Sequence, residues 1–179
     1  MEMKARFLLI CLSISLFIAP SAQASDKLEK ASDVLQFVLP ATAYGMTFGF
    51  DDKEGRSSYT KALALTVGVT RGLKLTVDKE RPNGGSQAFP SGHTSAAFSG
   101  ASFIERRYGW EYGIPAYVAA SFVAFSRVES DNHFVEDVIA GAAIGTISTY
   151  LFTKPYEKGL PVVPLIGRGT YGVFIKTQF

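Results

Sequence analysis

The sequence of 179 residues is poor in the side chains on which many catalytic and structural sites depend. It holds one cysteine, Cys11, and two histidines, His93 and His133. Because Cys11 lies in an apolar N-terminal run, the rest of the chain has no disulfide, no thiol nucleophile and no cysteine metal site. The net charge is only +2 and the basic residues are spread along the chain, which argues against a nucleic-acid partner.

The chain has apolar residues in quantity. Hydrophobic residues make up 47% and aromatic residues 13% of the sequence, which is ample for a packed core and excludes a disordered chain. Neither an internal repeat nor a low-complexity stretch is present, and the length suits one domain.

The first residues have the pattern of an export signal. Lys4 and Arg6 precede the apolar run FLLICLSISLFIA, and Ala22 and Ala24 form an A-x-A site that predicts cleavage before Ser25. The run is shorter than the roughly 20 apolar residues that span a bilayer. We therefore expect a signal peptide at this end of the chain, with an uncleaved first membrane helix as the alternative.

Five helix-length apolar segments follow, separated by polar or Gly/Pro breaks. They lie at residues 32–50, 59–77, 91–108, 114–128 and 134–153. Scattered small residues among Val, Leu, Ile and Phe predict close helix packing. We expect a signal segment at 1–24, an all-α bundle of about five helices at 25–158 and a tail at 159–179. In the tail, TYGVFIKT partly alternates and GRG suits a turn, which predicts a short β-hairpin.

The five segments are marginal as membrane spans, because several carry charges and the fourth is barely 15 residues long. If the N-terminus lies inside, the loops at 78–90 and 129–133 fall outside, and Arg106 and Arg107 obey the positive-inside preference. We expect a bundle in the inner membrane with these two loops facing the periplasm. A soluble exported bundle would place its loops on alternate ends equally well and stays open.

Most of the chemically active side chains lie in or beside these two loops. Lys74, Arg81 and Arg127 are three cations near the turn PSGH, where a helix start exposes backbone N–H groups. Positive charge and oriented amides both favour phosphate oxygens. The pattern therefore predicts an anion site.

Two histidines and a carboxylate belong to the same region. His133 and Asp137 are four residues apart at the start of a helix and hence on one face. The carboxylate can keep one ring nitrogen protonated and leave the other free to attack. His93, on another helix, supplies a second group that can handle protons. A nucleophile, an acid and an anion clamp are what phosphoryl transfer requires.

Each of these residues has an ordinary explanation when it is taken alone. Ser91 suits the N-cap of a helix, and His133 with Asp137 suits a surface pair. Lys74 suits a lysine that snorkels at a helix end, and Arg127 suits a lone surface charge. Only the joint spacing favours a catalytic site over these explanations.

The joint spacing resembles the signature K-x6-R-P, P-S-G-H and S-R-x5-H-x3-D of the type 2 phosphatidic acid phosphatase and vanadium haloperoxidase superfamily. The match is complete and in order, with the residues Lys74, Arg81, Pro82, Pro90, Ser91, Gly92, His93, Ser126, Arg127, His133 and Asp137. Membrane members of the family usually have six spans, and this chain reaches six only if its N-terminal run is retained. The tail at 159–179 is not part of the shared pattern.

The resemblance implies a role for each motif residue. His133 would be the nucleophile that forms a phosphohistidine, Asp137 would orient it, and His93 would protonate the leaving oxygen and then activate water. The phosphoryl oxygens would be held by Lys74, Arg81, Arg127, the Ser91 hydroxyl and the Gly92 backbone N–H. Members of the family need no metal or other cofactor.

The expected function is a metal-independent phosphatase that acts on a phosphate monoester or diphosphate of a lipid. An exported soluble acid phosphatase for small phosphomonoesters is the first alternative. A vanadate-dependent haloperoxidase and a non-catalytic protein that binds phosphate or lipid are further alternatives, since the same residues can hold vanadate or an unreacted phosphate.

Overall fold

Five helices and two short strands make up the part of the chain that the computed structural model describes, residues 22–157, 162–167 and 170–175. The helices are α1 (Ala22–Gly49), α2 (Lys53–Thr76), α3 (Gly92–Tyr108), α4 (Trp110–Glu129) and α5 (Val135–Phe152). The strands β1 (Val162–Gly167) and β2 (Thr170–Ile175) pair antiparallel. The predicted all-α bundle is confirmed. The apolar N-terminal run lies outside the described residues, so the export signal stays a prediction.

Two helices begin well before their apolar segments. α1 starts at Ala22 rather than at residue 32, and its extra turns contain the polar stretch SDKLEKA, in which Lys, Leu and Glu are good helix formers. α2 starts at Lys53 rather than at residue 59 because Asp52 caps it, its carboxylate accepting a hydrogen bond from the Gly55 N–H at 2.8 Å. Most of the charged break that we expected between residues 50 and 59 therefore belongs to the capped start of α2.

α3 lies at the centre of the bundle and contacts each of the other four helices. Its buried residues include Ala97, Ala101 and Phe103, and the Phe103 ring lies 4.5 Å from the ring of Tyr59 on α2. Gly109, with φ of +94°, is the single residue between α3 and α4. Because that backbone conformation suits glycine, α4 can begin four residues earlier than its apolar segment predicts.

Glycines on α5 let this helix approach the backbone of α3. A Cβ added at Gly141 would collide with the carbonyl oxygen of Ser91, and one at Gly145 with that of Ser95. The Thr149 hydroxyl also donates to the carbonyl oxygen of Ser99 at 3.2 Å. The distance between α3 and α5 is thus set by backbone contact.

An ion pair fastens the end of the bundle at which α1 meets α2. Arg107 donates from Nε and Nη2 to the two carboxylate oxygens of Asp52, at 2.7 and 2.6 Å. Both side chains are buried, and Arg107 also donates to the carbonyl oxygens of Lys154 and Pro155. This bidentate geometry makes the pair a structural link between α2, α3 and the segment after α5.

The outer surface of the bundle is rich in large apolar side chains. Exposed members lie on α1, α2, α4 and α5 and include Val34, Phe37, Phe48, Val67, Leu75, Trp110, Ile114, Val118, Phe125, Ile139, Ile147 and Leu151. Among the described residues one helix, α5, is long and apolar enough to cross a membrane. So many exposed large apolar side chains on four helices are more than the outside of a soluble bundle usually shows.

Candidate active site

The C-terminal ends of α2 and α4 and the N-terminal ends of α3 and α5 lie at one end of the bundle, together with the first half of α1. A cavity of about 370 Å³ opens there. Five of the residues predicted from sequence line it: Lys74, Arg81, Gly92, His93 and His133. Ser91, Arg127 and Asp137 are buried around it. The structure therefore gathers the residues of all three motifs in one place.

A larger cavity of about 480 Å³ lies at the opposite end, between Phe50, Arg106, Tyr108 and Tyr156. None of the predicted site residues lines it. Its buried cation, Arg107, is already paired with Asp52. Size alone therefore does not identify the reactive cavity, and the chemistry of the lining side chains decides in favour of the smaller one.

Ser91 is the N-cap of α3. Its Oγ lies 3.0 Å from Oγ1 of Thr94, and its N–H donates to the Asp137 carbonyl oxygen at 2.9 Å. The capping explanation is thus correct as local structure, while the second contact joins the start of α3 to the first turn of α5. The Gly92 N–H follows at the helix N-terminus, where the helix dipole favours an anion.

Lys74 approaches this turn from the last turn of α2. A Cβ added at Gly92 would lie 3.7 Å from Cε of Lys74, so the lysine stem passes directly beside the turn. Its Nζ donates to the carbonyl oxygen of Gln87 at 2.6 Å. The ammonium group is therefore positioned at the cavity by the loop that leads into α3.

Arg127 is the most deeply enclosed cation of the site. Its Nη1 donates to Oδ1 of Asp33 at 2.8 Å and to Oγ of Ser32 at 3.2 Å, and its Nη2 donates to Oε1 of Glu29 at 3.4 Å. All three acceptors belong to α1. The guanidinium group that the family signature assigns to phosphate is thus held by the N-terminal half of α1.

His133 lies in the short loop between α4 and α5 and is almost fully buried. Its backbone N–H donates to the Arg127 carbonyl oxygen at 3.0 Å, which ties the two motif residues together. Burial, assisted by the cations Arg81 and Lys74, lowers the pKa of His133 to about 4, although Asp137 opposes the shift. At neutral pH the imidazole is therefore uncharged and has a free electron pair.

Asp137 is fully buried and has three neighbours. Its Oδ2 accepts from the Phe134 N–H at 2.9 Å and lies 3.7 Å from Nδ1 of His133. Its Oδ1 lies 2.6 Å from Nζ of Lys79. His133 Nδ1 has no hydrogen-bond partner within the described residues, so a small movement of the ring would complete the pair with Asp137.

The two loops that carry the motifs also contact each other. The Asn83 N–H donates to the Asp131 carbonyl oxygen at 3.1 Å, and its side chain donates to the Asn132 amide oxygen at 3.4 Å. Asn132 in turn donates to Glu29 at 2.9 Å. The loop with Arg81 and the loop with His133 therefore form one connected unit.

His93 stands on the first turn of α3 and has a carboxylate partner. Its Nε2 lies 3.0 Å from Oδ1 of Asp33, the same oxygen that accepts from Arg127. Each histidine of the chain is therefore near an aspartate, His133 near Asp137 and His93 near Asp33.

The sequence did not single out Asp33, Glu29 or Lys79. Asp33 is 60 residues from His93 along the chain, in a polar stretch that carries no motif. Lys79 falls among the six unspecified positions between Lys74 and Arg81. No signal in the sequence distinguishes these charges from ordinary surface charges, because their importance follows from tertiary contacts.

The arrangement suits chemistry on a phosphate group. An uncharged histidine in the loop before α5 and a second histidine on α3 lie in a cavity that is also lined by the cations Arg71, Lys74 and Arg81 and by a helix N-terminus. These supply a nucleophile, a group that can handle protons and an anion clamp. Within residues 22–157 we find no cluster of three or more side chains that could hold a metal ion.

Comparison with known proteins gives a consistent result. The profile described as PAP2 superfamily matches residues 57–159. The Lipid A 4′-phosphatase of Helicobacter pylori is 30% identical over 89% of this chain and 89% of its own. The Lipid A 1-phosphatase of Porphyromonas gingivalis is 34% identical over 66% of this chain, which is 29% of its own length.

Two solved structures share the fold. The LpxE structure of Aquifex aeolicus superposes with a TM-score of 0.65 at 19% identity, over 74% of this chain and 87% of its own. A transmembrane PAP2-type phosphatidylglycerolphosphate phosphatase of Bacillus subtilis superposes with a TM-score of 0.61 at 23% identity, over 78% and 79% of the two chains.

Proposed function

The chain belongs to the PAP2 superfamily and is a phosphatase, and from that premise we propose that it hydrolyses a lipid phosphate through a phosphohistidine on His133. The observation that carries the proposal is the cavity in which His93 and His133 lie with Lys74 and Arg81. The geometry supports a ping-pong reaction in two steps.

In the first step His133 attacks the phosphorus atom. Its Nδ1 is directed to Asp137, so Nε2 is the atom that bonds to phosphorus. The lowered pKa of His133, about 4, keeps the attacking nitrogen unprotonated at neutral pH. As the bond between phosphorus and the lipid oxygen breaks, His93 gives a proton to that oxygen and the alcohol leaves.

In the second step water replaces His133 on phosphorus. His93, now uncharged, takes a proton from the water while the water oxygen bonds to phosphorus. The electron pair of the nitrogen–phosphorus bond returns to His133, and inorganic phosphate is released. The same residue thus acts first as acid and then as base, as microscopic reversibility requires of a double displacement at one site.

Positive charge around the cavity supports a reaction without a metal ion. Lys74, Arg81 and Arg127 surround the place where the equatorial phosphoryl oxygens would lie, and the Ser91 hydroxyl and the Gly92 N–H stand at a helix N-terminus. These groups stabilise the charge that develops on the oxygens in the transition state.

A lipid substrate is supported by the walls of the cavity and by the surface around it. Phe37 on α1 and Val67 on α2 line the cavity and are 70% and 49% exposed. The apolar outer faces of α1, α2, α4 and α5 suit an environment of lipid acyl chains. We propose that the bundle lies in the inner membrane with the cavity at the periplasmic side, as the export-signal pattern suggests.

Phosphorylated lipid A is the substrate that we favour. The Helicobacter pylori relative named for lipid A 4′-phosphatase activity matches nearly the whole chain. Phosphatidate, phosphatidylglycerol phosphate, a prenyl diphosphate and a soluble phosphomonoester are the comparison substrates.

The proposal is tested by phosphate release from the purified full chain in detergent, over that panel, with and without EDTA. We expect the highest kcat/KM on lipid A and no loss in EDTA. Loss of activity in the chelator would contradict the metal-free mechanism, and a preference for the soluble ester would contradict the lipid substrate. Extraction of membranes at alkaline pH tests whether the bundle is embedded in the membrane. If it is, the chain stays in the membrane pellet.

A further inference from the structure

Asp33 on α1 lies against His93, and no part of the three-motif signature accounts for it. Its Oδ1 is 3.0 Å from Nε2 of His93 and 2.8 Å from Nη1 of Arg127. We propose that Asp33 is a positioning residue for His93, whose carboxylate holds Nε2–H so that Nδ1 exchanges the proton with the leaving group and with water. The inference rests on the proposed phosphatase reaction.

The tautomer of His93 follows from the chemistry of its partner. An ionised carboxylate only accepts hydrogen bonds, so the ring nitrogen beside Asp33 must carry a hydrogen. In the uncharged ring the electron pair is then on Nδ1, and in the charged ring Nδ1 carries the second proton. Among the described residues His93 has one side-chain hydrogen bond, that of Nε2 to Asp33, and His93 lines the cavity, so we assign the proton exchange to Nδ1.

The electrostatic surroundings explain why His93 needs a carboxylate. Burial, Arg127 from α4 and Arg81 from the loop before α3 together lower the pKa of His93 to about 4, and Asp33 from α1 is the group that favours the charged imidazole. An acid must carry its proton when the substrate arrives. Asp33 thus offsets, in part, the burial and the two guanidinium groups that the site requires for phosphate.

The arrangement also explains the difference between the two histidines. Burial and two cations lower the pKa of both histidines, so the difference lies in the carboxylates: His133, which has to attack, has its carboxylate at 3.7 Å. His93 has to donate a proton and has its carboxylate at hydrogen-bond distance. In the first step the proton of Nδ1 passes to the lipid oxygen as the phosphorus–oxygen bond breaks, and in the second Nδ1 recovers a proton from water.

The test compares two phosphate monoesters with the same alkyl chain, one of an aliphatic alcohol and one of a nitrophenol. Nitrophenolate leaves without protonation, whereas the alcohol needs the proton of His93. In Asp33→Asn we expect kcat/KM, which reports the first step alone, to fall about 10- to 100-fold for the alcohol ester and to change by less than about threefold for the nitrophenyl ester. The Asp33 side chain is 48% exposed, and the buried Arg127, which loses its ion pair with Asp33 in this variant, keeps its contact with Glu29.

Glu29→Gln is the matched control. Glu29 is on the same helix and contacts Arg127 at 3.4 Å, and it makes no hydrogen bond to His93. Both substitutions remove a carboxylate partner of Arg127. If this changes phosphate binding, it changes kcat/KM for both esters by the same factor. We expect Glu29→Gln to leave the ratio of the two kcat/KM values at the wild-type figure.

A double-mutant cycle completes the test on the alcohol ester. In a His93→Ala background, Asp33→Asn should lower kcat/KM by less than about twofold, because His93, the residue on which Asp33 acts, is already gone. Equal losses on both esters, or full additivity with His93→Ala, would overturn the inference. A rise in kcat/KM would overturn it too, because Asp33 would then be competing with the phosphate for Arg127. If the wild-type chain hydrolyses neither ester, the proposed function itself fails.

Discussion

Nζ of Lys79 lies 2.6 Å from Oδ1 of Asp137, the fully buried carboxylate whose other oxygen faces the ring of His133. Lys79 also contacts Oε1 of Glu136 at 2.8 Å and stands 4.7 Å from the centre of the Phe134 ring. Asp137 is thus shared between a histidine and a lysine. The positive charge of Lys79 partly neutralises the negative charge of Asp137 that acts on His133.

Replacing Lys79 by Met should move the acid limb of kcat/KM to higher pH. Without the ammonium group the full charge of Asp137 acts on His133, which raises the pKa of the imidazole and so reduces its uncharged fraction in acid. The measurement is kcat/KM from pH 4 to 9 on the nitrophenyl ester, whose own phosphate ionisation is common to all variants.

Glu136→Gln is the control for Lys79, because Glu136 is an exposed partner of the same ammonium group and does not face His133. We expect its profile to coincide with that of the wild-type enzyme. A Lys79→Met profile that stays in place or moves to lower pH would show that Asp137 does not transmit charge to His133.

His133→Ala should abolish phosphate release, while His93→Ala should trap the intermediate. With the nitrophenyl ester the first step needs no acid, but the second needs His93 as base, so a phosphoenzyme accumulates. We expect the His93→Ala chain, labelled with radioactive phosphate, to hold a label that is stable in alkali and lost in acid. His133→Ala should lose about 10⁴-fold or more in kcat.

The double variant His93→Ala with His133→Ala distinguishes the nucleophile from other labelled sites. It should take up no label, and its elution on size exclusion should match that of the wild-type chain. Label that persists in the double variant would assign the covalent step to another residue.

Acidification should destabilise the wild-type chain more than it destabilises the His133→Gln variant. The pKa of His133 is about 4 in the fold, below its ordinary value of 6.5, so the unfolded chain binds the proton more readily. The stabilisation is fully present above pH 6.5 and is lost as the pH falls towards 4, on the order of 3 kcal/mol in all. The check is the fall of the thermal midpoint between pH 7.5 and pH 4.5, which should be larger for the wild-type chain. Equal falls of the thermal midpoint in the two chains would show that the pKa of His133 is not lowered by folding.

Gly145→Ala should lower stability and also slow the reaction. The added methyl group would meet the carbonyl oxygen of Ser95 on α3, so α5 must move away, at a cost of about 1–3 kcal/mol. Gly68 on α2 is the control, because a Cβ there meets nothing within 4 Å. Gly68→Ala should raise the thermal midpoint slightly through helix propensity. Similar midpoints for the two variants would show that α3 and α5 do not meet as closely as described.

The sequence predicted those elements whose ends are marked by local chemistry. α3 begins within one residue of its predicted start because Ser91 caps it, and α5 ends one residue before the predicted 153. α1 and α2 were predicted too short, since their first turns are polar and are helical through capping and charged helix formers. Apolar periodicity cannot detect such turns.

The site was predictable as far as the motifs reach. The spacing that joins Lys74 to Arg81 and His133 to Asp137 is local, and the structure gathers these residues around one cavity. Asp33 and Lys79 were missed because each acts on a partner that chain topology brings near. The catalytic roles of the motif residues stay predictions that the variants above test.

The contact between α3 and α5 determines more than stability. His93 belongs to α3 and His133 lies two residues before α5, so the separation of the proposed acid and the proposed nucleophile depends on how closely the two backbones approach at Gly141 and Gly145. In the proposed reaction, side-chain volume at these two positions would therefore set the distance between the attacking nitrogen and the leaving oxygen. Chains with identical motifs can in this way differ in the esters they accept, through residues that never touch the substrate.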